Sequence, residues 1–204
     1  MTLFVGLGNP GSRYEETRHN IGFKVIDQLV DDQAIDGLPA RDISKTSFHG
    51  TLFRTTNTFF LKPTTFMNLS GKSVQPVKHF FKVELDDVIV IHDDIDLPFG
   101  ALRFKKGGGH GGHNGLKSID DSITKEYIRV RVGVGKPEHK SQVADYVLHD
   151  FNKEEKVLLE KLIEHVVKAC KALQEEELTE VKSKYSLKSI QTIQSVEGLE
   201  GVKL

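Results

Sequence analysis

Val88-Ile89-Val90-Ile91-His92-Asp93-Asp94-Ile95-Asp96 opens on four consecutive β-branched apolar residues and closes on carboxylates. A short, uninterrupted apolar run is the mark of a strand buried on both faces, as in parallel sheets covered by helices on either side. Working back towards the N-terminus, a strand is expected at about 2–7, followed by the turn Gly8-Asn9-Pro10-Gly11. A helix over about 19–31 carries Ile21, Val25, Ile26, Leu29 and Val30 on one face. Residues 32–46 read as an irregular connection, and runs at about 47–54 and 58–62 flank Thr55-Thr56-Asn57 as a hairpin. Ser70 is placed to cap a helix reaching about residue 82, which Pro76 should delay or kink.

Working forward, a strand fits about 100–105, a short helix about 115–122 and a strand 127–134 with apolar residues at 128, 130, 132 and 134. Another strand is expected near 143–148. Asn152 and Glu155 have the spacing of a capping box, opening a long helix with the stripe Leu158, Leu162, Val166, Ala169 and Leu173. The alternation of strands and helices gives an α/β fold: a single three-layer domain with a twisted mixed β-sheet flanked by helices. The domain should span 1–183, with weakly periodic residues 184–204 as a mobile tail.

The composition fits an ordinary water-soluble domain: 204 residues, 38% hydrophobic and 28% charged. No window approaches 18 consecutive apolar residues, so no membrane partner is expected. Met1–Gly6 lacks the features of a signal peptide, and a cytoplasmic location is expected. The lone Cys170 rules out an intramolecular disulfide framework and a multi-thiolate zinc site. The net charge is −1, but it is a cancellation. Residues 99–140 hold nine basic against four acidic side chains, and residues 141–180 hold five against ten. Any polyanion should therefore meet one face only.

Three motifs bear on chemistry. Gly6-Leu7-Gly8-Asn9-Pro10-Gly11 has dinucleotide-loop spacing, yet Pro10-Gly11 reads as a tight turn and Asp31 and Asp32 fall at a helix end. Glycines serving a sharp turn are the simpler account, though they leave Asn9 unexplained. Gly71-Lys72-Ser73 fails as a phosphate loop because position 66 is Phe66. The glycine-rich stretch 107–115 admits three readings: a flexible loop, a metal site of His110 and His113 with Asp93, Asp94 or Asp96, or a backbone surface open to a bulky phosphate-bearing ligand beside Arg103, Lys105, Lys106 and Lys117. Glycines oppose the helix that would converge the two histidines. Strand ends deliver Asn9, Asn68 and Asp93, with His19 close in sequence to the first. Ligands gather beyond the carboxyl ends of such strands.

Several of these segments, taken together, are specific. Phe4-Val5-Gly6-Leu7-Gly8-Asn9-Pro10-Gly11 followed by Tyr14 and Thr17-Arg18-His19-Asn20 resembles the opening of bacterial peptidyl-tRNA hydrolases. Lys62 to Gly71, His92 to Pro98 and Gly107 to Leu116 resemble three further signatures of that family in the same order, and Arg131 to Gly135 continues the likeness. The resemblance covers about residues 3–175. It implies hydrolysis of the ester between a peptide and the tRNA 3′ ribose, recycling tRNA after premature release from the ribosome. It implies His19 as general base, oriented by Asp93, and Asn9 as the sensor of the acylated amino group. Tyr14, Phe66, Asn68 and Asn114 would contact the substrate's 3′ end and peptide, and Met67 would line the pocket. Arg103 and Lys105, with Arg131 less strongly, would meet tRNA phosphates. No metal or other cofactor is implied, and a monomer is. The competing readings are a non-catalytic RNA-binding module built on the Gly- and Lys-rich loop, the metal hydrolase, and a dinucleotide oxidoreductase.

Overall fold

The computed structural model describes residues 1–191. Seven strands form one mixed sheet in the order β2-β3-β4-β1-β5-β7-β6. They are β1 (Thr2–Gly6), β2 (Arg41–Asp42), β3 (Gly50–Arg54), β4 (Thr58–Pro63), β5 (Val88–Asp94), β6 (Leu102–Lys106) and β7 (Ile128–Gly133). β4, β1, β5 and β7 run parallel, while β2, β3 and β6 add antiparallel edges. The six α-helices of the described residues are α1 (Ile21–Ile35), α2 (Gly71–Phe80), α3 (Asn114–Ile123), α4 (Val143–Val147), α5 (Lys153–Ala172) and α6 (Leu178–Tyr185).

Alternation along the central strands divides the core in two. Phe4, Phe60, Ile89 and Ile91 pack under α1, α5 and α6. Leu3, Val5, Phe59, Leu61, Val88 and Val90 pack under α2 and α3. That is the physical meaning of the unbroken run at 88–91: each side chain has a core to enter, whichever way it points. α1 crosses β1 unusually closely. A Cβ on Gly6 would overlap the Gly22 carbonyl, and one on Gly22 would overlap the backbone of Leu7 and Ile91. The first glycine of the dinucleotide-like pattern therefore serves helix–strand contact.

Four expectations change. The segment near 143–148, expected as a strand, is the helix α4, with Val143 and Val147 one helical turn apart. α2 neither starts late nor breaks: it runs from Gly71 through Pro76 to Phe80. The proline removes only the bond to the carbonyl of Lys72, an exposed residue whose carbonyl water can serve. Ser70 does not cap that helix. Its Oγ donates to the Met67 carbonyl, and the Gly71 N–H is taken by Ser118 Oγ of α3 at 2.9 Å. Finally, residues 184–191, assigned to the tail, pack against the domain. Leu187 forms an antiparallel bridge with Leu102 and Ile190 is buried. Residues 192–204 of that tail lie outside the described residues.

The capping box at α5 forms as expected, with Asn152 accepting from Glu155 N and the Glu155 carboxylate accepting from Asn152 N. The α5 stripe lies slightly round from the expected face: Leu159, Leu162, Val166, Val167, Ala169 and Cys170 are buried, while Leu158 and Leu173 flank them. Burial pushes the Cys170 thiol pKa up, which makes it inert core.

Candidate active site

A cleft of about 880 Å³ opens beyond the carboxyl ends of β1, β4 and β5. Asn9, His19, Phe66, Met67, Asn68, Asp93, Lys105 and Asn114 all line it. Of the site residues that the family resemblance implies, Tyr14 and Arg103 are outside this lining. Tyr14 sits in a short turn before α1, its carbonyl accepting from Thr17. Arg103 lies on edge strand β6, where Nη1 donates to the carbonyls of Leu102 and Leu187 and so clasps the C-terminal segment.

The centre is a carboxylate between two imidazoles. Asp93 Oδ2 lies 2.8 Å from His19 Nδ1, and Oδ1 lies 2.8 Å from His113 Nε2. The tautomers follow from the partners. Asp93 only accepts, so His19 carries its proton on Nδ1, and Nε2 has no partner among the described residues. His113 Nδ1 accepts from the N–H groups of Gly115 and Leu116, capping α3, so its proton is on Nε2 and points at Asp93. Both ring nitrogens of His113 are thereby occupied.

Charge follows geometry. Burial lowers the His19 pKa, but the charge and hydrogen bond of Asp93 outweigh it, and the net shift is upward. Burial would raise the Asp93 pKa. The neighbouring His19 and His113 outweigh that and hold the carboxyl far below its ordinary range. Burial, with His113 adjacent, pushes the His92 pKa down to about 4, so this residue is neutral. His92 Nδ1 pairs with the Asp93 carbonyl, and its Nε2 is buried without a partner.

Among the described residues the one cluster with metal-ligand spacing is His19, Asp93 and His113. His110 is not in it; its Nδ1 accepts from the Gly112 N–H. The donor set suits a metal poorly. Both Asp93 oxygens, both His113 nitrogens and His19 Nδ1 are engaged in hydrogen bonds, which leaves only His19 Nε2.

The amides differ in how they are held. Asn9 is buried and clamped: its N–H donates to Asn20 Oδ1, its carbonyl accepts from Asn20 Nδ2, and its Oδ1 accepts from the Met67 N–H at 2.8 Å. The last bond fixes the amide orientation and leaves Nδ2 as a donor for a ligand. Asn68 and Asn114 are exposed and their side chains have no partner among the described residues. Arg131 pairs with Asp94 at 2.8 Å on the cleft wall. Arg129, buried beneath the glycine-rich loop, donates to the Gly109 carbonyl and to Asp120.

Sequence reasoning missed His113 as anything but a metal ligand, and it missed Asn20 and Arg129. Arg129 left a trace, since positions 129 and 131 are the polar alternates of an otherwise apolar strand. Asn20 left none, because a clasp between side chain and backbone eleven residues apart has no periodic signature.

Residues 3–193 match the family described as Peptidyl-tRNA hydrolase. The peptidyl-tRNA hydrolase of Sulfurovum sp. is 73% identical over 188 residues, 92% of this chain and 97% of that protein. That of Sulfurimonas denitrificans is 60% identical over 91% of this chain and 97% of its own. The crystal structure of peptidyl-tRNA hydrolase from Acinetobacter baumannii superposes with a TM-score of 0.83 at 35% identity, covering 91% of this chain and 96% of that one. With the sheet order, the cleft and these likenesses in agreement, the chain belongs to the peptidyl-tRNA hydrolase family.

Proposed function

We propose that the chain hydrolyses the ester joining a peptide to the 3′ ribose of tRNA, with His19 as general base. The observation that carries this reading is the 2.8 Å contact from His19 Nδ1 to Asp93, which leaves a basic Nε2 in the cleft with no partner among the described residues. Nε2 takes a proton from water as the water oxygen attacks the ester carbonyl carbon. The tetrahedral intermediate then expels the ribose 3′ oxygen, which takes the proton back from the imidazolium. Asp93 stays ionised throughout, holding the imidazole in register and stabilising its charged form.

The negative oxygen of the intermediate needs donors, and the free amides of Asn68 and Asn114 are suited to supply them. Asn9 Nδ2 donates to the carbonyl that acylates the substrate's amino group. A free aminoacyl-tRNA offers an ammonium there, which cannot accept, so the buried amide would lose its partner. Phe66 and Met67 give apolar contact to the peptide. Lys105, exposed at the cleft rim, meets a tRNA phosphate. No metal ion is needed for this sequence of steps, and a chelator should leave the rate unchanged. The reading takes the chain to act as a monomer, as the family resemblance implies. The reading places the chain in the cytoplasm, returning tRNA from peptides released prematurely.

The test is cleavage of N-acetylated aminoacyl-tRNA by the purified protein, with unacylated aminoacyl-tRNA as control. His19→Ala should lower the rate by about 10²–10⁴-fold, the usual contribution of a positioned base. Near-normal cleavage by that variant, or equal cleavage of the unacylated control, would contradict the assignment.

A further inference from the structure

Arg18 precedes His19 in the chain, and no step above uses it. It is a buried cation, its side chain 9% exposed, and such groups persist only when well paired. Its Nη2 donates to Glu155 Oε1 at 3.0 Å and its Nη1 to the Tyr146 carbonyl at 3.2 Å. The guanidinium carbon sits 4.1 Å from the centroid of the Tyr146 ring, a close cation–π stack. The backbone adds to this. The Arg18 N–H donates to the His149 carbonyl at 3.0 Å, and Thr17 bridges Asp150.

These contacts all reach one place. Residues 146–150 end α4 and lead into α5; α4 contributes Val143, Ala144 and Val147 to the cleft wall, and Leu148 follows at its end. The Tyr146 hydroxyl donates to the Val134 carbonyl at 2.6 Å, just beyond β7. Glu155 Oε1 also accepts the Asn152 N–H that opens α5. The turn carrying His19 therefore grips the apolar wall through the Arg18 side chain and the backbone of Thr17 and Arg18. α4 is only five residues long and could not hold its place alone.

We propose that Arg18 is a positioning residue: it sets the spacing between His19 and the α4 wall, and so governs how firmly the acyl part of the substrate is held beside the base. The proposal rests on the hydrolase reading. Arg18 touches neither substrate nor Asp93, so its loss should act on binding rather than on the ionisation of His19.

The experiment compares Arg18→Met, Arg18→Lys and Tyr146→Leu with the unaltered chain. KM and kcat are measured on N-acetyl-aminoacyl-tRNA and on a tRNA carrying a longer peptide, across pH, with folding checked by circular dichroism. Folded Arg18→Met should raise KM about ten-fold, leaving kcat within about three-fold and its acid limb in place, the pattern of lost uniform binding. Tyr146→Leu should reproduce the KM effect, and Arg18→Lys, which keeps the ion pair, should restore part of it. If Arg18→Met does not fold, Tyr146→Leu decides. An unchanged KM in folded variants would overturn the proposal, because a purely structural arginine predicts that result. A fall in kcat with a displaced acid limb would overturn it too, by moving the role to His19. Failure of the unaltered chain to cleave either substrate would instead sink the hydrolase reading.

Discussion

At the scale of single residues, Asp93 governs the site. It accepts from both imidazoles while buried to 2% exposure, and it is the cause that raises the His19 pKa against the opposing pull of burial. As the proposed base, His19 would act only when neutral, so activity should fall as pH drops through that raised pKa. Asp93→Asn removes the raising causes and leaves burial, which lowers the pKa. The acid limb of kcat/KM should therefore move to lower pH, while the plateau rate falls about 10²–10⁴-fold as the imidazole loses its fixed tautomer. A pH–rate profile of the variant checks both. An acid limb shifted to higher pH would mean that Asp93 is not what holds His19. The sequence made His19 and Asp93 visible because each stands at the end of a legible element. That they meet came from the family resemblance, since 74 residues separate them. His113 was hidden for a different reason: preferences for N-cap residues favour Asn114 beside it, while the histidine performs the capping through a ring nitrogen.

At the scale of elements, the crossing of α1 over β1 is what brings His19 to the strand ends. It depends on Gly6 facing Gly22 with no side chain between them. Gly22→Ala would push a methyl group into the backbone of Leu7 and Ile91, which cannot turn aside as a side chain would. The expected cost is about 3 kcal/mol, or a fall of about 6–12 °C in Tm, measured by thermal denaturation. A variant melting within about 2 °C of the unaltered chain would show that the crossing has slack. The long helices α1 and α5 were legible from the helical spacing of their apolar residues, β7 from alternation and β5 from its unbroken apolar run. α4 was not, because five residues give too short a sample to separate helical from strand spacing. Residues 184–191 were read as tail for a similar reason: one bridge at Leu187 and one buried side chain at Ile190 make no pattern.

At the scale of the whole molecule, a chain of net charge −1 is expected to handle a polyanion by keeping its charges apart. Lys105, Arg129 and Arg131 line the cleft with the glycine-rich loop, whereas Glu154, Glu160 and Glu164 lie on α5 across the sheet. Lys105→Ala should raise KM for peptidyl-tRNA and flatten its dependence on salt by about one counterion, with kcat little changed. Steady-state kinetics between 50 mM and 200 mM salt would measure it; an unchanged slope would remove Lys105 from the phosphate contacts. Arg103, whose Nη1 is occupied by two backbone carbonyls, is less free to serve in this way. Its clasp has another consequence. By pinning Leu187 along Leu102, it closes one margin of the sheet, and the other margin is the two-residue strand Arg41–Asp42, charged and exposed. Among the described residues, one border is thus covered at its first residue and the other is short and charged, which leaves a foreign strand little length of ladder to join and works against amyloid-like zippering.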